Sequence, residues 1–268
     1  MDFLISVFVA TYGAFLGSFY NVIAFRILRG ESIVTLRSHC LSCKRVLSAA
    51  ELCPIFSYLF LCGKCRNCGV SISPLYCIFE IITALGFVIS YWKYDLSGSF
   101  VLSVTFVSLV VIGLLSNIRY KRISNQVLLV FFVLFFIEQF FLPTMVSFYD
   151  ACIGVAVGFF MPKFIESVSC GKITVRNPML YGVFGLAMGW QFVFLFLFFA
   201  VLFQLFYGIY QRMTNIFQKQ QEILLSPFLA AMVIFIHWFG EHIIFVVSNF
   251  YKEDKVYVWV ESFVIHLF

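Results

Sequence analysis

The chain has 268 residues, 62% of them hydrophobic and 20% aromatic, with only 12% charged. That balance excludes a large water-soluble globular protein and leaves one stretch, residues 26–74, polar enough to fold as a small aqueous module. The net charge of +5 gives no argument for nucleic acid, because the basic residues are spread over loops and form no stripe interleaved with aromatics.

The first apolar run, residues 3–24, follows Asp2 where a secretory signal would carry cations, and its first basic residues, Arg26 and Arg29, come after it. It reads as a retained membrane helix. A bilayer core takes about 20 apolar residues per helix, and further spans are predicted over 75–92, 99–115, 127–143, 148–163, 179–189, 191–210 and 226–248. The expectation is an all-α polytopic membrane protein of about eight transmembrane helices with a small loop module. Its parts are a first transmembrane helix (1–24), a polar module (25–74), a polytopic membrane domain (75–248) and a C-terminal tail (249–268). The sixth run, "MLYGVFGLAMG", is short, and its boundary with the seventh is placed at Trp190 and Gln191.

With the N-terminus outside, the loops at 25–74, 116–126, 163–178 and 211–225 share the cytoplasmic face and carry 15 of the 18 Lys and Arg residues. Lys93, Lys252 and Lys255 remain on the other side. This asymmetry is the one that positive-inside insertion produces.

The module reads "RSHCLSCKRVLSAAELCPIFSYLFLCGKCRNCGVSIS". Cys40 with Cys43 and Cys65 with Cys68 form two C-x-x-C pairs, each bringing two sulfurs together over a tight turn, as a tetrahedral zinc requires. A cytoplasmic position argues against stable disulfides. Cys62 is an alternative ligand within "CGKCRNC", or, like Cys53, a small apolar residue among Phe56, Leu59 and Phe60. His39, adjacent to Cys40, is poorly placed to complete the same tetrahedron.

These motifs, in this order, resemble the type IV prepilin peptidases, bifunctional leader peptidases and N-methyltransferases. "GSFYNVIAFRILR" (17–29) is similar to that family's signature at the end of the first span. The two cysteine pairs, "ISPLYCIFEIITAL" with Glu80, "LAMGWQ" (186–191) and "SPFLAA" (226–231) resemble later landmarks. The stretch after Asn249 has no counterpart. The resemblance implies an intramembrane aspartic endopeptidase of the bacterial inner membrane that removes the short basic leader of a type IV prepilin or type II secretion pseudopilin. It also implies methylation of the new N-terminus with S-adenosylmethionine, although no Gly-rich fingerprint for that cofactor is visible. Membrane lipid is the other expected partner.

Aspartic proteolysis needs two carboxyl groups sharing a proton. The family's first aspartate opens a segment that ends in P and D or N; here "NIRYKRISN" puts Asn117 at the aspartate and Ser124 with Asn125 at the close. Its second lies in G-x-G-D-x-K, and "TVRNPM" puts Asn177 there, with Thr174 and Arg176 at the glycines and Met179 at the lysine. An amide keeps the shape of the acid but cannot titrate. Two isosteric changes alone would fit an engineered knockout, whereas the altered 174, 176 and 179 favour a diverged homologue. The expectation is therefore a family member without cleavage, or a silent homologue that binds prepilins or assembly components. A transporter would need a midplane site of paired polar residues, which is not seen.

Four aspartates remain, Asp2, Asp95, Asp150 and Asp254. Asp150 is expected as an interfacial helix cap away from the two hairpins. Glu80 is better placed but is alone. Glu138, Glu241, His237 and His242 are expected to satisfy one another in the outer half.

Overall fold

The computed structural model describes residues 2–33, 37–144, 146–168, 173–175, 177–213, 221–223 and 230–240. Among the described residues it is mainly helical, apart from the turns of the 37–74 loop and one short ladder. The helices are α1 (Asp2–Arg26), α2 (Phe56–Phe60), α3 (Leu75–Tyr94), α4 (Gly98–Tyr120), α5 (Asn125–Phe141), α6 (Phe148–Val168), α7 (Pro178–Met188) and α8 (Trp190–Met213), with α9 at Ala230–Gly240. Strands β1 (Ile173–Val175) and β2 (Gln221–Ile223) pair in parallel, Ile173 opposite Gln221.

Each of the eight predicted spans contains a helix of the described residues, the eighth (226–248) being described only at Ala230–Gly240. Four, α1, α3, α4 and α6, are long and apolar enough to cross a membrane, while α5, α7, the 190–202 part of α8 and α9 are shorter apolar helices. Gly189 ends α7 with φ +81°, and α8 restarts at Trp190, where the sequence placed the break. The tail at 249–268, Glu241 and His242 lie outside the described residues.

Helix α4 is the axis of the bundle, its buried face running from Ser99 to Asn117. Serines begin and separate the spans: Ser97 Oγ accepts the Phe100 N–H at the start of α4, and Ser124 Oγ accepts that of Gln126 at the start of α5. Lys121 closes α4 in the left-handed conformation, its N–H returning to the Asn117 carbonyl at 2.9 Å.

Without a hydrophobic drive inside lipid, helices associate where small residues let backbones approach. Two crossings use this. A Cβ on Gly13 or Gly17 of α1 would meet the α3 backbone at Ala84 and Glu80 at 2.9 and 3.0 Å. Between α6 and α7 the approach is closer still, since a Cβ on Gly185 would lie 1.9 Å from the Gly154 carbonyl oxygen.

Of the polar groups expected to satisfy one another, Glu138 and His237 each meet a hydroxyl of α4, while Glu241 and His242 lie outside the described residues. Thr105 Oγ1 donates to Glu138 Oε1 at 2.5 Å, and His237 Nε2 lies 3.0 Å from Ser103 Oγ while stacking on Phe106. Hydroxyls on a central helix are partners that cost no second buried charge. Asp150 also differs from its predicted role. Ser147 caps α6 by accepting the Tyr149 N–H, and Asp150 Oδ1 accepts the Trp190 indole N–H at 3.0 Å, joining α6 to α8.

Candidate functional site

The four cysteines of the paired motifs converge. Their sulfurs all lie within 4.8 Å of one another, with Cys40 Sγ and Cys68 Sγ 3.8 Å apart. Zinc–thiolate bonds of about 2.3 Å in a tetrahedron place sulfurs about 3.8 Å apart. Two matching turns build the cluster. The Cys40 N–H bonds the Arg45 carbonyl and the Cys65 N–H that of Val70, both at 2.9 Å. The residue after each second cysteine is left-handed, Lys44 at φ +58° and Gly69 at φ +69°.

Backbone N–H groups converge on the sulfurs as thiolate ligands need. The Arg45 amide, with the Asn67 side chain, holds the Cys43 thiol down to about 6, and the Cys68 and Asn67 amides lower that of Cys65. At Cys68 the Val70 amide also acts to lower it, but burial and the three neighbouring thiols outweigh it and push the group up to about 11. Four thiolates cannot crowd together without a cation to compensate them, and the donor set fits a soft tetrahedral ion. The cluster could hold a metal ion. Cys62 is exposed, has φ +49° and stands outside this group.

Glu80 joins this loop to the bundle. Its Oε2 accepts the Ile55 N–H at 2.7 Å, and its carboxylate also hydrogen-bonds Ser18. Arg29 Nε donates to Tyr120 Oη at 2.8 Å, tying the end of α1 to the end of α4. The cysteine loop, the end of α1, the start of α3 and the end of α4 therefore share one end of the bundle.

Both family asparagines belong to that end. Asn117 is buried in the last turn of α4, and Asn177 is half-buried at the N-cap of α7, where its side chain makes no capping bond and Pro178 follows. Helices α4 and α7 run antiparallel, packing Phe106 on Phe184 with ring centroids 5.5 Å apart. Asn117 lies eleven residues from Phe106 and Asn177 seven from Phe184 in the same direction. At about 1.5 Å per residue their depths differ by about 6 Å. Arg176 lies outside the described residues, and of Thr174 the structure describes the backbone in β1.

No aspartate among the described residues is near. Asp2 starts α1, Asp95 closes α3 and Asp150 opens α6. All three are at the opposite end, as the Trp92 indole bond to Ser6 Oγ at 3.0 Å confirms for α1 and α3. The acids at the cysteine end are glutamates, and two residues there escaped the sequence reading. Glu166 stands in the last turn of α6. Asn21 is buried in α1, its Nδ2 donating to the Gly17 carbonyl while Oδ1 has no hydrogen-bond partner among the described residues. A polar amide inside an apolar run was the signal for Asn21.

Comparison with known proteins places this arrangement. Residues 11–94 match the family described as the bacterial peptidase A24 N-terminal domain. The chain is 33% identical over 233 residues to the prepilin leader peptidase/N-methyltransferase of Bacillus subtilis, covering 87% of this chain and 94% of that relative. It is 36% identical over 170 residues to the protein of the same name from Myxococcus xanthus, covering 62% of this chain and 49% of the relative. A type 4 prepilin-like proteins leader peptide-processing enzyme of Escherichia coli is 34% identical over 104 residues, 32% of this chain and 39% of the relative. No solved structure matches. Similarity at that level over nearly the whole of the Bacillus subtilis relative is decisive: the chain belongs to the prepilin leader peptidase/N-methyltransferase family.

Proposed function

We propose that this protein receives type IV prepilins or type II secretion pseudopilins in the bacterial inner membrane and does not cleave their leaders. The supporting observation is that Asn117 and Asn177 stand at the same end of the bundle, with every described aspartate at the other. In this reading the N-terminus is outside, the cysteine loop and both asparagines face the cytoplasm, and the four cysteines hold one structural zinc. Two amides donate and accept hydrogen bonds, so they can seat a peptide carbonyl or a water molecule. Neither takes the proton that activates the water nor returns one to the leaving amine.

Glu80 does not replace the missing acids, since its carboxylate already accepts the Ile55 N–H and bonds Ser18. Methyl transfer needs no carboxyl dyad, and S-adenosylmethionine would supply the methyl group for a mature N-terminal amine. The alternative reading, a silent homologue that only binds prepilins or assembly components, differs in lacking this transfer.

The test uses purified full-length protein with a prepilin, and a mature pilin with labelled S-adenosylmethionine. Retained prepilin binding without leader release supports the proposal, and label on the mature pilin separates the transferase from the silent binder. The Asn117→Asp, Asn177→Asp double variant should stay inactive, because Thr174, Arg176 and Met179 also depart from the family's motif. Full rescue would show that the two asparagines alone silence the chain.

A further inference from the structure

We infer that the cysteine loop is seated on the lipid surface through one face of α2, so that the bilayer itself is the partner of Phe56, Leu59 and Phe60. These side chains are 59%, 61% and 83% exposed, and their i, i+3, i+4 spacing puts them on one side of the helix. The other side is turned to the loop's own interior: a Cβ on Gly63 would meet the Tyr58 hydroxyl at 2.8 Å and its ring at 2.9 Å.

The position of α2 decides the occupant. Its preceding residue, Ile55, is bonded to Glu80, which lies five residues inside α3. At 1.5 Å per residue, and with a side chain tilted back toward the helix start, the bond falls at about the level of the first turn of α3. The outer face of α3, on the side away from Glu80, is apolar and exposed at Leu75, Ile78 and Ile82. The α2 face therefore lies near the depth at which an apolar, membrane-spanning helix begins. Between residues 37 and 74 there are five Lys and Arg residues against one acid, Glu51, which suits anionic headgroups beside an interfacial helix. Ile55 is held at φ +62°, a conformation costly for a β-branched residue, and the Glu80 bond fixes α2 in this place.

A photoreactive benzophenone amino acid placed at Phe60 tests the inference, with Arg66 as the exposed polar control. The full-length protein is reconstituted in phosphatidylethanolamine and phosphatidylglycerol vesicles, with and without prepilin, and irradiated adducts are read by mass spectrometry. Lipid adducts at Phe60 at least fivefold above those at Arg66, whether or not prepilin is present, are expected. Lipid labelling at Phe60 less than fivefold above the control, including no lipid adduct at all, or a Phe60 adduct to prepilin in place of lipid would overturn it. Prepilin binding is not needed for the lipid adduct, so this outcome is separable from the proposed function.

Discussion

The Ile55 backbone N–H donates to Glu80 Oε2 across 2.7 Å, joining the cysteine-bearing loop to a carboxylate buried in α3. Truncation as Glu80→Ala strands that N–H and should destabilise the loop by about 1–3 kcal/mol, whereas Glu80→Gln keeps an acceptor and should cost about 1 kcal/mol or less. Limited proteolysis between residues 40 and 68 in detergent reads the difference. Equal protection of both variants and the parent would remove Glu80 from this role.

The cysteine cluster predicts about one zinc per chain by elemental analysis, with Cys40→Ser, Cys43→Ser, Cys65→Ser and Cys68→Ser each lowering metal content and Cys62→Ser leaving it unchanged. A chelator should open the four thiols to alkylation together. Loss of metal on changing Cys62 but not Cys65 would reassign the ligands.

Glu51 sets a pH dependence. The Ser48 backbone N–H, then its hydroxyl and Arg45, hold the Glu51 carboxyl below the usual range. A depressed carboxylate contributes stability that is present above its unfolded value of about 4.3 and is lost as pH falls through the folded value. Proteolytic protection of the loop in the parent should therefore exceed that of Glu51→Gln at neutral pH, and the two should converge once the pH has fallen below that depressed folded value.

At the α6–α7 crossing, Gly185→Ala drives a methyl into the Gly154 carbonyl, 1.9 Å away, while Gly182→Ala meets nothing nearer than 3.7 Å. The first should cost about 1–3 kcal/mol or more by overpacking. The second should be neutral or stabilising, since alanine is the better helix former by about 0.5–1 kcal/mol. Thermal unfolding in detergent distinguishes them, and equal melting temperatures would refute the close crossing.

The helices were legible because long apolar runs separated by charged loops have few alternatives in a membrane. The α7–α8 break at Gly189 was readable from the short run before Trp190. The cysteine cluster was readable because C-x-x-C pairs carry their own turn. Partner choice was not. The role of Asp150 depends on where the Trp190 indole falls, and the bonds from Thr105 to Glu138 and from Ser103 to His237 depend on how α4 is rotated. The Gly154–Gly185 contact likewise needs both helices, because small residues in one run do not name their partner. The two asparagines were visible only through the family frame, since an amide at a helix end is ordinary by itself.

The most direct measurement incubates the purified full-length protein in lipid vesicles with a prepilin and follows the substrate mass, with an active prepilin peptidase alongside to show that the substrate is cleavable. The account predicts that the prepilin keeps its leader through many turnovers of the active enzyme. Leader release by this chain, with Asn117 and Asn177 in place, would contradict it and require a catalytic acid among the glutamates at the cysteine end.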